Sequence, residues 1–142
     1  MDDNAQVMID FANGAKGMLW TSVMARGGVY GLRVRVFGTK GSLEWVQNDP
    51  GYLRYNPAKG AVKLLERGFH NAEFSKNFSR IKFGHPEGYL DAFANIYKEF
   101  ASSLKNKTKK RYFYPNEDEG FETAKFINAC KISSKRKKWV KI

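Results

Sequence analysis

GHPEGYLDAFANIYKEFASSL, residues 84–104, is the stretch on which the reading of the whole chain turns. From Tyr89 onward the apolar residues Tyr89, Phe93, Ile96, Tyr97, Phe100 and Leu104 recur at steps of three and four. That spacing places them on one side of an amphipathic helix. The five residues before it, Gly84-His85-Pro86-Glu87-Gly88, read as a loop that delivers the chain into the helix. An apolar helical stripe needs a surface to cover, and the apolar surface on offer is the strand-rich segment that precedes it. Loops at such a junction, carried on a rigid scaffold, are common places for binding residues.

Working backward from the helix, the first 66 or so residues alternate as strands do. Val7, Ile9 and Phe11 oppose Gln6, Met8 and Asp10 across residues 5–12. Asn13-Gly14 then predicts a type I′ hairpin turn, with positive φ at both positions. Residues 15–25 return as a second strand and Arg26-Gly27-Gly28 is a loop. Further strands are predicted over 31–37 and 42–46, joined by Gly38-Thr39-Lys40-Gly41, and near 52–55 and 61–66 after the Asn48-Asp49-Pro50-Gly51 turn. Short connections between successive strands make an antiparallel meander. The second strand carries apolar residues on both faces, with Met18, Trp20 and Met24 against Leu19 and Val23. A sheet with one solvated face has no use for this, so a further covering, by another domain or subunit, is expected. Residues 67–83 read as a long surface loop.

Forward of the helix, a basic segment leads to Tyr112-Phe113-Tyr114-Pro115 and to Asn116. Asn116 followed by Glu119 has the spacing of a capping box, and Asp118 and Glu119 suit the positive end of a helix dipole. The second helix is predicted to about Ser134, with Thr123, Phe126, Ile127 and Cys130 inward and Trp139-Val140 anchoring the tail. The expected fold is therefore α+β: one domain over residues 1–142, an open, largely antiparallel sheet with helices packed on one face.

Composition agrees with a globular chain. Of 142 residues 42% are hydrophobic and 15% aromatic, and no apolar run reaches the roughly 20 residues of a membrane span. A single cysteine, Cys130, excludes an internal disulfide and fits a reducing, cytoplasmic setting as a buried structural thiol. The net charge of +11 raises the question of nucleic acid. Its clusters, Lys105 to Arg111 and Lys131 to Lys141, adjoin predicted helix ends, where cations meet the dipole favourably. A solvated basic surface is the expectation, with nucleic acid and membrane not expected as partners.

Little catalytic chemistry is visible. No G-x-G-x-x-G or P-loop pattern occurs, two histidines and one cysteine give no zinc-ligand spacing, and no nucleophile elbow is present. His85 is the one residue placed for chemistry, beside Glu87 at the helix start. The plainer role for it is a helix cap or a hydrogen bond to a backbone carbonyl, and for Glu87 a partner of the helix dipole. His70, in the irregular segment, is assigned no role.

The segments FANGAKGMLWTS (11–22), VFGTKGSLEW (36–45), GHPEGYLDAFANIY (84–97) and YPNEDEGFETAKFINACKISSKRKKWVKI (114–142), in this order, resemble the C-terminal domain of the Gfo/Idh/MocA family. These are NAD(P)-dependent dehydrogenases of sugars, inositols and related polyols. The resemblance implies an open sheet with helices on one face, and oligomers joined through the sheet. It makes Gly84 to Tyr89 a segment near the substrate pocket, so His85 and Tyr89, and more weakly Arg26, become substrate-contact candidates. The family's Rossmann domain, its Glu-Lys-Pro lysine and its Asp-x-x-x-His pair have no counterpart in this sequence, so no catalytic, cofactor-binding or metal-binding residue carries over. The chain is thus expected to be the substrate-binding and oligomerisation portion of such an enzyme, inactive alone, with NAD or NADP belonging to the full-length parent. The competing reading is a stand-alone basic module for nucleic acid or anionic ligands, with Tyr112, Phe113 and Tyr114 stacking on bases beside Lys109, Lys110 and Arg111.

Overall fold

The computed structural model describes residues 3–28, 31–68, 77–82, 84–105 and 113–142. The chain forms two compact units, Met1–Val29 with Pro115–Ile142, and Tyr30–Tyr114. His70 and most of the basic segment, Lys107 to Tyr112, lie outside the described residues.

The first unit holds strands β1 (Asn4–Asp10) and β2 (Lys16–Ser22) and a helix. The strands pair antiparallel from Asn4↔Ser22 to Asp10↔Lys16. The alternation read in the sequence is kept: Ala5, Val7 and Ile9 are half-buried, while Met8, Met18 and Trp20 lie on the exposed face. An Asp10–Lys16 ion pair of 2.8 Å closes the end of the ladder. The turn differs from the type I′ expectation. Gly14 alone has positive φ, at 87°, and its N–H bonds the Phe11 carbonyl while Phe11 N–H bonds Ala15. This is the three-residue loop with a glycine bulge, one residue longer than type I′. Asn13 stays out of the left-handed region and its Oδ1 accepts from Ala15 N–H, which supports the wider turn.

The predicted meander is divided. In the second unit β3 (Arg33–Gly38), β4 (Gly41–Val46), β5 (Tyr52–Pro57) and β6 (Lys63–Glu66) form their own four-stranded antiparallel sheet in sequence order. Its register sorts the side chains. Val34 opposes Trp45, Val36 opposes Leu43, Trp45 opposes Leu53, and Leu53 opposes Leu65, so one face is an apolar ladder. The other face carries Arg33, Arg35, Phe37, Glu44 and Arg54. There Glu44 stands opposite both Arg35 and Arg54 and pairs with Arg33 at 3.5 Å, which supplies the carboxylate those arginines need. Helix α1 (Tyr89–Lys105) belongs to this unit. Its stripe is present but not buried: Ile96 is 39%, Phe93 44% and Tyr97 70% exposed. Among the described residues only Ala129 is buried. The open, antiparallel α+β class expected from the sequence is the one observed.

Helix α2 (Glu117–Arg136) returns to the first unit. The capping box is formed in full: Asn116 Oδ1 accepts from Glu119 N–H at 2.9 Å and Glu119 Oε2 accepts from Asn116 N–H at 3.1 Å. The inward face is shifted from the expectation. Phe126, Ala129, Cys130, Ile132 and Ser133 are its more buried residues, whereas Thr123 and Ile127 are exposed. Thr123 spends its hydroxyl on the Glu119 carbonyl one turn back. Trp139 is 69% exposed and no strand forms around it, so it does not anchor the tail as expected.

Two substitutions test this arrangement. Gly41 sits at φ 147°, and a Cβ there would press into the Asn56 carbonyl oxygen and lie 2.9 Å from Pro57 Cα. Gly41→Ala therefore combines backbone strain with a clash against backbone, and chemical denaturation is expected to show a loss of about 2 kcal/mol or more. Asn116→Ala removes one half of the capping box and is expected to cost about 1 kcal/mol, with Asn116→Asp retaining most of it, read from thermal melts of the three proteins.

Candidate functional site

The junction before α1 is built around one ion pair. Arg67, just past the end of β6, places Nη1 2.5 Å from Glu87 Oε2, and the two side chains are only 19% and 7% exposed. Arg67 also donates to two carbonyls, from Nη1 to Ile81 at 3.2 Å and from Nη2 to His85 at 3.0 Å. The second Glu87 oxygen accepts from the backbone N–H groups of Arg80 and of Ile81, the latter at 3.3 Å. Planar guanidinium and carboxylate groups with several partners each hold their neighbours in a defined geometry. The loop into α1 is thereby clasped to the end of the sheet.

Glu87 is thus not the helix-dipole partner expected of it. Asp91 takes that place: its Oδ2 accepts from Gly88 N–H at 3.1 Å, and Ala92 N–H begins the helical ladder on the Gly88 carbonyl. Asn95, one turn further, ties the preceding segment to the helix by donating to the Phe78 carbonyl at 2.6 Å and accepting from Arg80 Nη1 at 3.4 Å.

These groups surround a cavity of about 480 Å³ between the start of α1 and one end of the sheet. Trp45, Leu32, Pro50, Phe78 and Tyr89 supply its apolar wall. Of its polar lining, Gln47 accepts from Leu32 N–H, and Arg67, Glu87, Asp91 and Asn95 have the partners described above. Trp45 Nε1 donates to the Pro50 carbonyl at 3.2 Å. The volume is in the range of small-molecule sites. An occupant would meet aromatic faces first, since most polar groups of the wall are already committed to holding the loop.

The three substrate-contact candidates fall as follows. Tyr89 lines the cavity, with its ring 4.9 Å from that of Phe93. His85 lies two residues before the lining segment and is exposed, and only its carbonyl is held; among the described residues its imidazole has no hydrogen-bond partner. Neither the cap nor the backbone bond of the plainer reading is formed by that ring. Arg26 is an exposed residue of the first unit, whereas His85 and Tyr89 belong to the second. Arg67 escaped the sequence reading altogether. It lies 18 residues from His85 in an irregular segment, and no spacing rule links the two.

The proposed base-stacking patch takes a different form. Tyr112 lies outside the described residues, Phe113 meets Phe78 edge to face at 5.2 Å, and Tyr114 packs on Phe100 at 5.6 Å while its hydroxyl donates to Ser103 Oγ at 3.0 Å. Phe113 and Tyr114 pack within their own unit. Among the described residues no group of three His, Cys, Asp or Glu side chains is placed to hold a metal, and no helix is long and apolar enough to cross a membrane.

Comparison with known proteins agrees with this architecture. An oxidoreductase of known structure from Sinorhizobium meliloti is 45% identical and superposes with a TM-score of 0.91 over 99% of this chain and 42% of its own. An inositol dehydrogenase homologue from Azotobacter vinelandii, solved in complex with NADH and myo-inositol, is 30% identical with a TM-score of 0.87, over 95% of this chain and 38% of its own. Uncharacterized oxidoreductase YfiI of Bacillus subtilis (strain 168) is 34% identical over 137 residues, which are 92% of this chain and 35% of that protein. The chain thus spans less than half the length of each. Residues 1–142 match the family described as the oxidoreductase family, C-terminal alpha/beta domain, and the chain accordingly belongs to the Gfo/Idh/MocA oxidoreductases as their C-terminal domain.

Proposed function

We propose that residues 1–142 act as one domain, the substrate-binding and oligomerisation portion of an NAD(P)-dependent dehydrogenase of inositol-type polyols or sugars. The observation that carries this is the likeness, over 95% of the chain, to a homologue that binds NADH and myo-inositol. The geometry supports it: a clasped loop presents the unpartnered His85 imidazole next to a segment that lines an aromatic-walled cavity. Aromatic faces suit the C–H surface of a polyol ring, and an exposed imidazole can donate or accept at a ring hydroxyl. Hydride transfer needs a cofactor held against the substrate. The sequence carries no phosphate-cradling glycine loop, so these residues alone are not assigned that step.

Self-association is the second part of the proposal. Met8, Met18 and Trp20, each more than 60% exposed, share one face of the β1–β2 hairpin. Burying such side chains is worth about 1.5–3 kcal/mol each when complete, and two-fold pairing of identical faces is the commonest closure.

Two measurements test the proposal. In NMR titrations, millimolar myo-inositol is expected to shift the ring signals of His85 and Tyr89. His85→Ala should abolish the Tyr89 response while moving the melting temperature by no more than about 2 °C, as for other exposed positions. Unmoved ring signals, or a loss of stability above roughly 2 kcal/mol, would assign His85 a structural role instead. By sedimentation at micromolar concentration the chain is expected to be a dimer or larger, and Met18→Lys to shift it toward monomer. A wild-type monomer would rule out self-association through this face.

A further inference from the structure

We propose that the C-terminal end of α2 and the segment after it form a docking surface for single-stranded nucleic acid. The inference is independent of the reading given for the α1 junction.

Six cations, Lys131, Lys135, Arg136, Lys137, Lys138 and Lys141, fall within the last twelve residues, and no acidic residue follows Glu122. All six are exposed, and among the described residues none has an ion pair or a side-chain hydrogen bond. The helix dipole explains only part of the cluster. Its effect fades beyond the last turn, where only Lys135 and Arg136 lie. Lys131 precedes that turn, and Lys138 and Lys141 follow the helix. Lys131 and Lys135 are also four apart on a helix, a like-charge spacing that is unfavourable without a carboxylate nearby. The cluster therefore has no compensating partner among the described residues, as expected where the partner is a separate anion.

The exit from the helix is fixed, so the charges are displayed on an ordered turn. Lys137 adopts φ 52° and ψ 42°, a left-handed conformation that lysine seldom takes. The turn is pinned twice to Ser133: the Lys138 N–H donates to its carbonyl at 3.3 Å, and its Oγ donates to the Lys138 carbonyl at 2.7 Å. Trp139 follows directly, 69% exposed between Lys138 and Lys141. A cationic track with an open indole matches the two elements of single-strand binding, phosphates on cations and a base on an aromatic face. An anionic membrane fits less well. Interfacial insertion uses the broad apolar face of an amphipathic helix, whereas the helix here ends before Trp139 and the remaining exposed apolar side chain is Ile142.

The test is fluorescence anisotropy of the 142-residue chain with a labelled oligothymidylate of about 15 nucleotides, across a salt series. Expected is binding whose log Kd against log salt has a slope magnitude of about 2–4, at about 0.7 per phosphate neutralised. Trp139→Ala is expected to weaken binding roughly five- to hundredfold. The double variant Lys135→Gln, Lys138→Gln should lower the slope by about 1.4. All three side chains are exposed, and circular dichroism confirms that the variants fold. Absence of binding, a salt-independent affinity, an affinity unchanged by Trp139→Ala, an unchanged slope in the double variant, or tighter binding to phosphatidylserine vesicles than to the oligonucleotide would each overturn the proposal.

Discussion

The junction on which the candidate site rests is held by the contact between Arg67 and Glu87. Burial takes both groups largely out of water, which is costly unless each polar edge finds a partner. Here the carboxylate faces a guanidinium and two backbone N–H groups, and the guanidinium also reaches two carbonyls. The pair is worth less as a source of net stability than as a constraint. A largely buried pair with several hydrogen bonds favours one arrangement, and removing one partner leaves the other charged and uncompensated. What it constrains is the placement of residues 80–82 and 85–87, and so the place from which His85 is presented.

That constraint matters because apolar packing does little of this work among the described residues. Ala129 alone is buried there, while the stripe of α1 and the hairpin face of Met8, Met18 and Trp20 are largely open. Exposed apolar surfaces of this kind mark interaction sites in general. The three relatives compared above are each more than twice as long as this chain. Polar clasps and caps then keep the local geometry. Asp91 closes the start of α1, the Asn116–Glu119 box closes the start of α2, and Ser133 fixes its exit.

Charge is handled differently in the two units. On the sheet of the second unit Glu44 faces three arginines from adjacent strands and offsets part of their charge. At the end of α2 the cations have no ion-pair partner among the described residues. Six of the chain's 25 lysines and arginines therefore gather around one turn that carries an exposed tryptophan.

Features set by neighbours in sequence were legible without coordinates. The helical spacing from Tyr89 to Leu104, the capping box, the Gly38–Gly41 turn and the strand alternation each depend on contacts within a few residues, and each is found. The Asn13-Gly14 turn was placed correctly but typed wrongly, because the choice between a two- and a three-residue loop depends on the register of the whole hairpin. The inward face of α2 was shifted for a similar reason, since periodicity gives a stripe but not the direction in which it will find cover. The division of the meander into two sheets and the clasp of Arg67 on Glu87 were decided only in three dimensions. The first is a break in strand pairing and the second joins residues 20 apart in the chain, and no spacing rule gives either. A buried ion pair chooses its partner by geometry that forms only once the strands have paired.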